Sequence, residues 1–126
     1  MILLLLEACP SFQRSWDEYC AKNGDEILYY IVLGNFADHL LELHQKHQTG
    51  TFPAVGRIIE RLHVEGDDYV QKAASIGLLE GIQNAWGNRH VDPEEFSPYL
   101  LPVSLKWWRS LNDFWTGKIK FVGEGL

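Results

Sequence analysis

Apolar residues recur at helical spacing along most of the chain. Between Asp25 and about Gln48 they lie four, three, four and three positions apart, at Tyr29, Leu33, Phe36, Leu40 and Leu43. Because an α-helix turns once every 3.6 residues, this spacing places all five on one face. No segment alternates apolar and polar residues for long enough to form a strand. The pattern therefore predicts an all-α fold.

Residues that favour helix ends separate the apolar segments. Ser11 is a plausible N-cap, Gly66 suits a helix end, and Pro53 suits a first turn, where its missing N–H costs nothing. The predicted helices span about 11–23, 25–48, 53–65, 67–86, a short segment from 92, and 103–115. The expected architecture is an orthogonal helical bundle of five or six helices. An alternative is a short solenoid-like stack that pairs 25–48 with 53–65 and 67–86 with 103–115.

Small and apolar residues nearly surround the predicted helix 67–86, which is typical of a helix enclosed by others. In the helix 25–48, Gly34 interrupts the apolar stripe at a cost of about 1 kcal/mol relative to alanine. We therefore expect a neighbouring helix to approach closely at Gly34.

Length and composition indicate one globular domain, residues 1–126, with a docking segment at 1–8 and a C-terminal tail at 117–126. The chain has 126 residues, of which 46% are apolar and 22% charged. Those fractions are close to the globular average. Two cysteines are too few for a disulfide framework, and we expect reduced thiols.

The termini and the charge restrict the compartment and the partners. The apolar run 1–6 ends at Glu7, far short of the ~18–20 residues that cross a bilayer, and it lacks a basic n-region. We expect a cytoplasmic protein. Seventeen acidic against eleven basic residues give a formal charge of −6. This charge repels phosphate backbones and anionic membranes and favours a basic protein partner.

Catalytic and metal-binding motifs are absent from the local sequence. There is no Gly-x-Ser-x-Gly motif, and the glycines of the helix 67–86 are not followed by the Lys-Ser/Thr pair of a phosphate loop. His44 and His47 lie three residues apart, but no clear set of further ligands converges with them. We expect no metal, no cofactor and no enzymatic activity.

Glu80 and Asn84 lie one turn apart on the helix that is otherwise apolar nearly all round. A buried carboxylate must be paired, so we expect the two side chains to form a buried polar network that fixes a neighbouring loop or helix end. The alternative is a general acid or base in the pocket of a small hydrolase or metal-dependent enzyme, together with a histidine.

The surplus acids form two clusters at predicted helix starts. They are Glu65, Asp67 and Asp68, and then Asp92, Glu94 and Glu95. Helix capping needs only one or two acids at each end, so the remainder are candidates for steering a basic partner. Trp107 is the seventh candidate, because Trp108 fits the apolar stripe and its neighbour points away from it. Trp107 is either covered by the C-terminal tail or exposed as a binding anchor.

Four segments carry a resemblance to a known family. They are Leu33-Gly34-Asn35-Phe36-Ala37-Asp38-His39-Leu40, the segment from Ile59 to Val70, the segment from Ile76 to Asn84, and Trp107-Trp108. Together they resemble a bacterial family of small helical proteins that is classed as a domain of unknown function. The likeness extends from about Pro10 to Gly117 and brings no activity with it.

Small acidic proteins of this kind also resemble the immunity proteins that are encoded beside secreted toxins and block them. The resemblance and the charge together predict an immunity-type inhibitor that occludes a basic toxin domain. Two alternatives belong to other classes: the small enzyme around Glu80, and a structural or adaptor subunit that self-associates through the face of Trp107.

Overall fold

Every regular element of the protein is helical. The computed structural model describes all residues 1–126. Its α-helices are α1 (Ile2–Ala8), α2 (Gln13–Asn23), α3 (Tyr29–Gln45), α4 (Phe52–Glu65), α5 (Asp68–Lys72), α6 (Glu80–Asn88) and α7 (Pro102–Trp115). The all-α class and the helical bundle are confirmed. The count is seven rather than five or six, because residues 2–8 form a helix of their own and because the predicted helix 67–86 is divided.

A π-helical segment, Ala73–Leu79, divides that helix. It joins α5 to α6 without a break, so residues 68–88 form one continuous rod, here called the central helix. Buried small residues let α3 approach this rod closely. A Cβ atom on Gly77 would lie only 2.8 Å from Leu33 Cδ1. At Gly34 a Cβ atom would meet nothing within 4 Å, so the predicted close approach at that glycine is wrong.

The helix boundaries differ from the prediction at three places. Helix α3 begins at Tyr29 rather than Asp25, because Asp25 belongs to a turn, the backbone of Leu28 is extended, and the Leu28 N–H donates to Tyr19 Oη at 2.8 Å. Ser11 is not an N-cap: it lies inside a 3-10 turn, Pro10–Phe12, that leads into α2. The segment from 92 forms two 3-10 turns, Pro93–Glu95 and Ser97–Tyr99, instead of an α-helix.

The helices do not pair in chain order. Helix α3 packs mainly against the central helix, and α4 packs against α7. The solenoid-like pairing of 25–48 with 53–65 is therefore wrong. Contact between α4 and the second 3-10 turn is very close, since a Cβ atom on Gly56 would collide with the backbone carbonyl of Tyr99.

A core of buried aliphatic and aromatic side chains holds these elements together. Its largest fully buried members are Trp86, Trp108, Phe12, Phe36, Phe52 and Phe96. None of the helices combines the length and the apolar character that crossing a membrane requires.

Candidate functional site

The first predicted acidic cluster lies where α4 ends and α5 begins. Asp67 is the N-cap of α5 and accepts a hydrogen bond from the Val70 N–H at 2.9 Å. Glu65 pairs with Arg61 at 2.7 Å on the surface of α4. Asp68 is exposed and forms neither a side-chain hydrogen bond nor an ion pair. All three carboxylates of this cluster are therefore exposed to solvent, and that of Asp68 has no partner within the protein.

The second predicted cluster is engaged within the molecule. Asp92 caps the first 3-10 turn through the Glu94 N–H at 3.0 Å. Glu94 Oε1 accepts from Trp108 Nε1 at 2.8 Å and from Asn112 Nδ2 at 2.9 Å. Glu95 lies 2.9 Å from His44 Nε2. These acids attach the 3-10 turns to α7 and α3.

The central helix separates the two clusters. Asp68 is its first residue, and Asp92 follows shortly after its last residue, Asn88. At 1.5 Å per residue the rod is about 30 Å long. The six acids therefore do not form one continuous acidic face.

Trp107 is half-buried beneath the C-terminal tail. A Cβ atom on Gly123 would lie 2.7 Å from Trp107 Cζ3, and Gly123 holds the left-handed φ of +87° that this close turn requires. The Gly123 N–H donates to Ser110 Oγ at 2.6 Å, and the indole stacks on His63. The tail covers Trp107, so its interpretation as an exposed anchor is wrong.

Glu80 and Asn84 do not form the predicted buried network. Asn84 is exposed, and neither side chain takes part in a hydrogen bond with the protein. Burial without a partner raises the pKa of the half-buried Glu80 carboxyl. The polar side chain of this helix that bonds to α7 is Gln83, whose Nε2 donates to Asn112 Oδ1 at 3.1 Å and to Trp108 O at 3.3 Å. Glu80 lines none of the five main surface pockets.

An apolar groove opens beside the first acidic cluster. It has a volume of about 350 Å³, and every side chain that lines it is apolar. The lining residues are Met1, Ile2, Leu3, Trp16, Ile27, Tyr29, Tyr69 and Val70. Leu3 is 74% exposed and Tyr69 is 50% exposed. Edge-to-face packing of Tyr69 against both Tyr29 and Tyr30 fixes its ring at the groove wall.

Acidic residues precede two residues of the groove wall in the sequence, and another lines an adjoining pocket. Exposed Asp67 and Asp68 directly precede Tyr69, and exposed Asp25 and Glu26 directly precede Ile27. Glu65 lines an adjoining pocket that shares Met1 and Val70 with the groove. Of the seven predicted partner-binding residues, Glu65 thus lies at a pocket that adjoins the groove, and Asp67 and Asp68 precede a residue of its wall. Asp68 itself lines a separate pocket together with Lys72 and Trp107.

A second concavity, the polar pocket, lies between α2 and α3. Its volume is about 600 Å³, and no apolar residue lines it. Ser11 Oγ lies 2.7 Å from His39 Nε2 at its wall. Behind Ser11 is the buried Cys9, whose Sγ is 3.5 Å from Ser11 Oγ and accepts a hydrogen bond from Thr51 Oγ1 at 3.7 Å. Burial raises the pKa of the Cys9 thiol, but hydrogen bonds with His39, Ser11 and Thr51 outweigh it and the pKa lies below its ordinary value.

Sequence reasoning missed both concavities, because each is assembled from separate parts of the chain. Ser11 and His39 are 28 residues apart on different elements. The groove combines α1, α2, the loop before α3 and the start of the central helix. One local signal was present: exposed Tyr69 interrupts a run of polar residues directly after two aspartates.

Comparison with known proteins gives one match. Residues 2–116 match the model of a family described as "Domain of unknown function (DUF7674)". Neither a curated protein nor a solved structure matches the chain.

Proposed function

The chain belongs to the family described as a domain of unknown function, DUF7674, and we propose that it is a binding protein that takes a basic amphipathic segment of a partner into the apolar groove. The partner class is a basic toxin domain, which the protein occludes in the manner of an immunity-type inhibitor in the bacterial cytoplasm. Leu3 and Tyr69 supply the apolar contact, and Glu65, Asp67 and Asp68 supply the charge.

The observation that carries the proposal is a groove lined only by apolar side chains, with Glu65 at an adjoining pocket. A helix that presents one apolar and one basic face fits such a surface, because its apolar stripe enters the groove while its lysines and arginines remain beside the acids. Leu3 is 74% exposed, so its burial under a partner contributes about 1–2 kcal/mol to association. Tyr69 adds aromatic area whose orientation is already fixed.

The charge adds selectivity and speed of association. The net charge of −6 favours encounter with basic surfaces and disfavours acidic ones. Asp68 keeps its full charge for this role, since it forms no hydrogen bond or ion pair within the protein, although it lines a neighbouring pocket rather than the groove itself. Charge steering is screened by salt, so binding is expected to weaken as ionic strength rises.

The experiment is a titration with two designed peptides that share one leucine stripe at helical spacing. One carries lysine at every polar position and the other carries glutamate. We expect the Leu/Lys peptide to bind and the Leu/Glu peptide to bind at least tenfold more weakly. Equal binding of the two peptides would contradict the proposal.

Two substitutions locate the binding surface. Leu3→Ser combined with Tyr69→Ser is expected to weaken binding of the Leu/Lys peptide by about tenfold or more, which corresponds to about 1.4 kcal/mol. Phe121→Ser is the matched control, because Phe121 is an aromatic side chain that is 70% exposed in the tail. The groove is not the binding surface if the control weakens binding as much as the double variant does.

The other two functional hypotheses have less support. Glu80 lines none of the five main surface pockets, and its side chain hydrogen-bonds to no second polar group, so little supports the small enzyme around it. The adaptor that self-associates through Trp107 lacks an exposed anchor, since the chain's own tail covers the indole.

A further inference from the structure

Ser11 and His39 form a close pair at the wall of the polar pocket. Ser11 Oγ lies 2.7 Å from His39 Nε2, within the distance at which a base accepts a hydroxyl proton. Ser11 is exposed, so a molecule in the pocket reaches its hydroxyl. The His39 ring also packs against Phe12, with ring centroids 5.7 Å apart, which restricts its orientation.

The backbone at Ser11 offers a hydrogen-bond donor beside the hydroxyl. Ser11 lies in the first turn of the helical stretch 10–23, and its N–H donates to no backbone carbonyl. A free N–H at this position is able to stabilise an oxyanion that forms on a carbonyl attacked by the same residue's Oγ.

The buried side of Ser11 is fixed by two further hydrogen-bonding groups. Cys9 Sγ lies 3.5 Å from Ser11 Oγ. Thr51, the residue directly before α4, donates a hydrogen bond from its Oγ1 to the same sulfur. Cys9 itself is fully buried and cannot meet a substrate. It acts as a positioning residue, and the hydroxyl of Ser11 is the group that faces the pocket.

We propose that Ser11 is a nucleophile with His39 as its general base, and that it accepts acyl groups from small polar esters in the polar pocket. Ser11 Oγ forms a bond to the carbonyl carbon while His39 Nε2 takes the hydroxyl proton. The bond from that carbon to the leaving oxygen breaks, and the proton passes from His39 to the departing alcohol. Water then attacks the acyl-serine, gives its proton to His39, and releases the acid as the proton returns to Ser11.

The pocket itself restricts the substrate class. Its lining includes Arg14, Arg89, Asp38 and Glu42 and contains no apolar side chain. An ester with a long alkyl chain therefore finds no apolar side chain to pack against, whereas a short acyl group with polar substituents meets polar side chains that can hydrogen-bond with it. This activity is independent of the apolar groove.

The test uses p-nitrophenyl acetate as the ester and a fluorophosphonate as a covalent probe of reactive serines. Trypsin cleaves after Arg14, so the peptide 1–14 contains Ser11 as its single hydroxyl residue, and Ser15 begins the next peptide. Ser15→Ala is the matched control, because Ser15 lines the same pocket without a histidine partner. Circular dichroism verifies that each variant is folded.

We expect the probe on peptide 1–14 of the wild type and of Ser15→Ala, and on neither peptide of Ser11→Ala. His39→Gln keeps a hydrogen-bonding side chain but cannot take the proton, and we expect it to lower ester hydrolysis about 100-fold or more. The proposal is overturned if the folded wild type is not labelled, if the probe is found on peptide 15–22, or if His39→Gln hydrolyses the ester at the wild-type rate.

Discussion

Glu94 is predicted to stabilise the fold, although its charge and position suggest a binding residue. We consider Glu94→Ala, which removes the acceptor of the Trp108 indole N–H at 2.8 Å and of Asn112 Nδ2 at 2.9 Å. The substitution leaves the indole N–H of a fully buried tryptophan without its acceptor.

The magnitude follows from the two hydrogen bonds. A hydrogen bond to a charged group contributes about 1.5–3 kcal/mol. Glu94 is itself exposed, so solvent screens part of that energy and water replaces the bond to Asn112. We therefore expect Glu94→Ala to lower the free energy of unfolding by about 2 kcal/mol, which corresponds to a fall in Tm of about 6–10 °C for a chain of this length.

Thermal and urea unfolding, both followed by circular dichroism, measure the effect. Asp68→Ala is the matched control: Asp68 belongs to the other cluster and has no internal partner, so its loss is expected to change stability by no more than about 0.5 kcal/mol. A fall in Tm below about 2 °C for Glu94→Ala, or an equal fall for Asp68→Ala, would refute the distinction between the two clusters.

Three further predictions concern stability. Gly56→Ala is expected to destabilise the fold by more than about 2 kcal/mol, because its Cβ atom collides with the Tyr99 carbonyl. Gly34→Ala adds a Cβ atom that meets no other group and is expected to stabilise the fold by about 0.5–1 kcal/mol. The urea midpoints of unfolding of the two variants measure both effects. Burial raises the pKa of Glu60, but hydrogen bonds from the N–H groups and the hydroxyl at the start of α7 outweigh it and lower the pKa below its ordinary value. The stability from a lowered carboxyl pKa is present above the unfolded pKa of about 4.3 and disappears as the pH falls through the folded pKa. Glu60→Gln should therefore cost about 1–2 kcal/mol at pH 7 and progressively less as the pH falls below the unfolded pKa, and a pH-independent cost would contradict this. Burial raises the pKa of Glu80, so the ionised carboxylate destabilises the fold at pH values above that pKa. Glu80→Gln should therefore raise Tm slightly at pH 7, by under about 1 kcal/mol in stability, and should make no difference at a pH where Glu80 is protonated in both the folded and the unfolded state. A lower Tm of the variant at pH 7 would contradict this.

The helical class could be predicted from sequence because spacing and helix-end residues are local signals. The stripe through Leu33 and Leu40, and Pro53 at the start of α4, require no knowledge of neighbouring elements. The capping role of Asp67 and Asp92 was accessible for the same reason, since each accepts from an N–H two or three residues ahead.

The polar residues of the central helix could not be placed because of the π segment. Hydrogen bonds from residue i to i+5 widen the turn, so residues after Ala73–Leu79 lie at different angles from those of a uniform α-helix. A helical wheel that starts at Asp68 and assumes 3.6 residues per turn therefore assigns the residues after the π segment, Asn84 among them, to the wrong face. This explains why Gln83 reaches α7 while Asn84 faces solvent.

The roles of the acids depended on tertiary neighbours that spacing does not reveal. Glu65, Asp67 and Asp68 look like Asp92, Glu94 and Glu95 in the sequence, since each group lies at a helix start. What distinguishes them is that Trp108 and Asn112 on α7 donate hydrogen bonds to Glu94, whereas no side chain forms a hydrogen bond or an ion pair with Asp68. The same reason explains why the local sequence predicts Ser11 as an N-cap and gives no sign of its contact with His39.

The most direct test of the binding proposal is an amide chemical-shift map of the protein during titration with the Leu/Lys peptide. We expect shifts concentrated at residues 1–4, 27–31 and 65–70, which include most of the groove lining, and little change at 92–95 or in the tail. Shifts centred on α7 and the tail would contradict the binding proposal, and so would the absence of any shift at millimolar peptide.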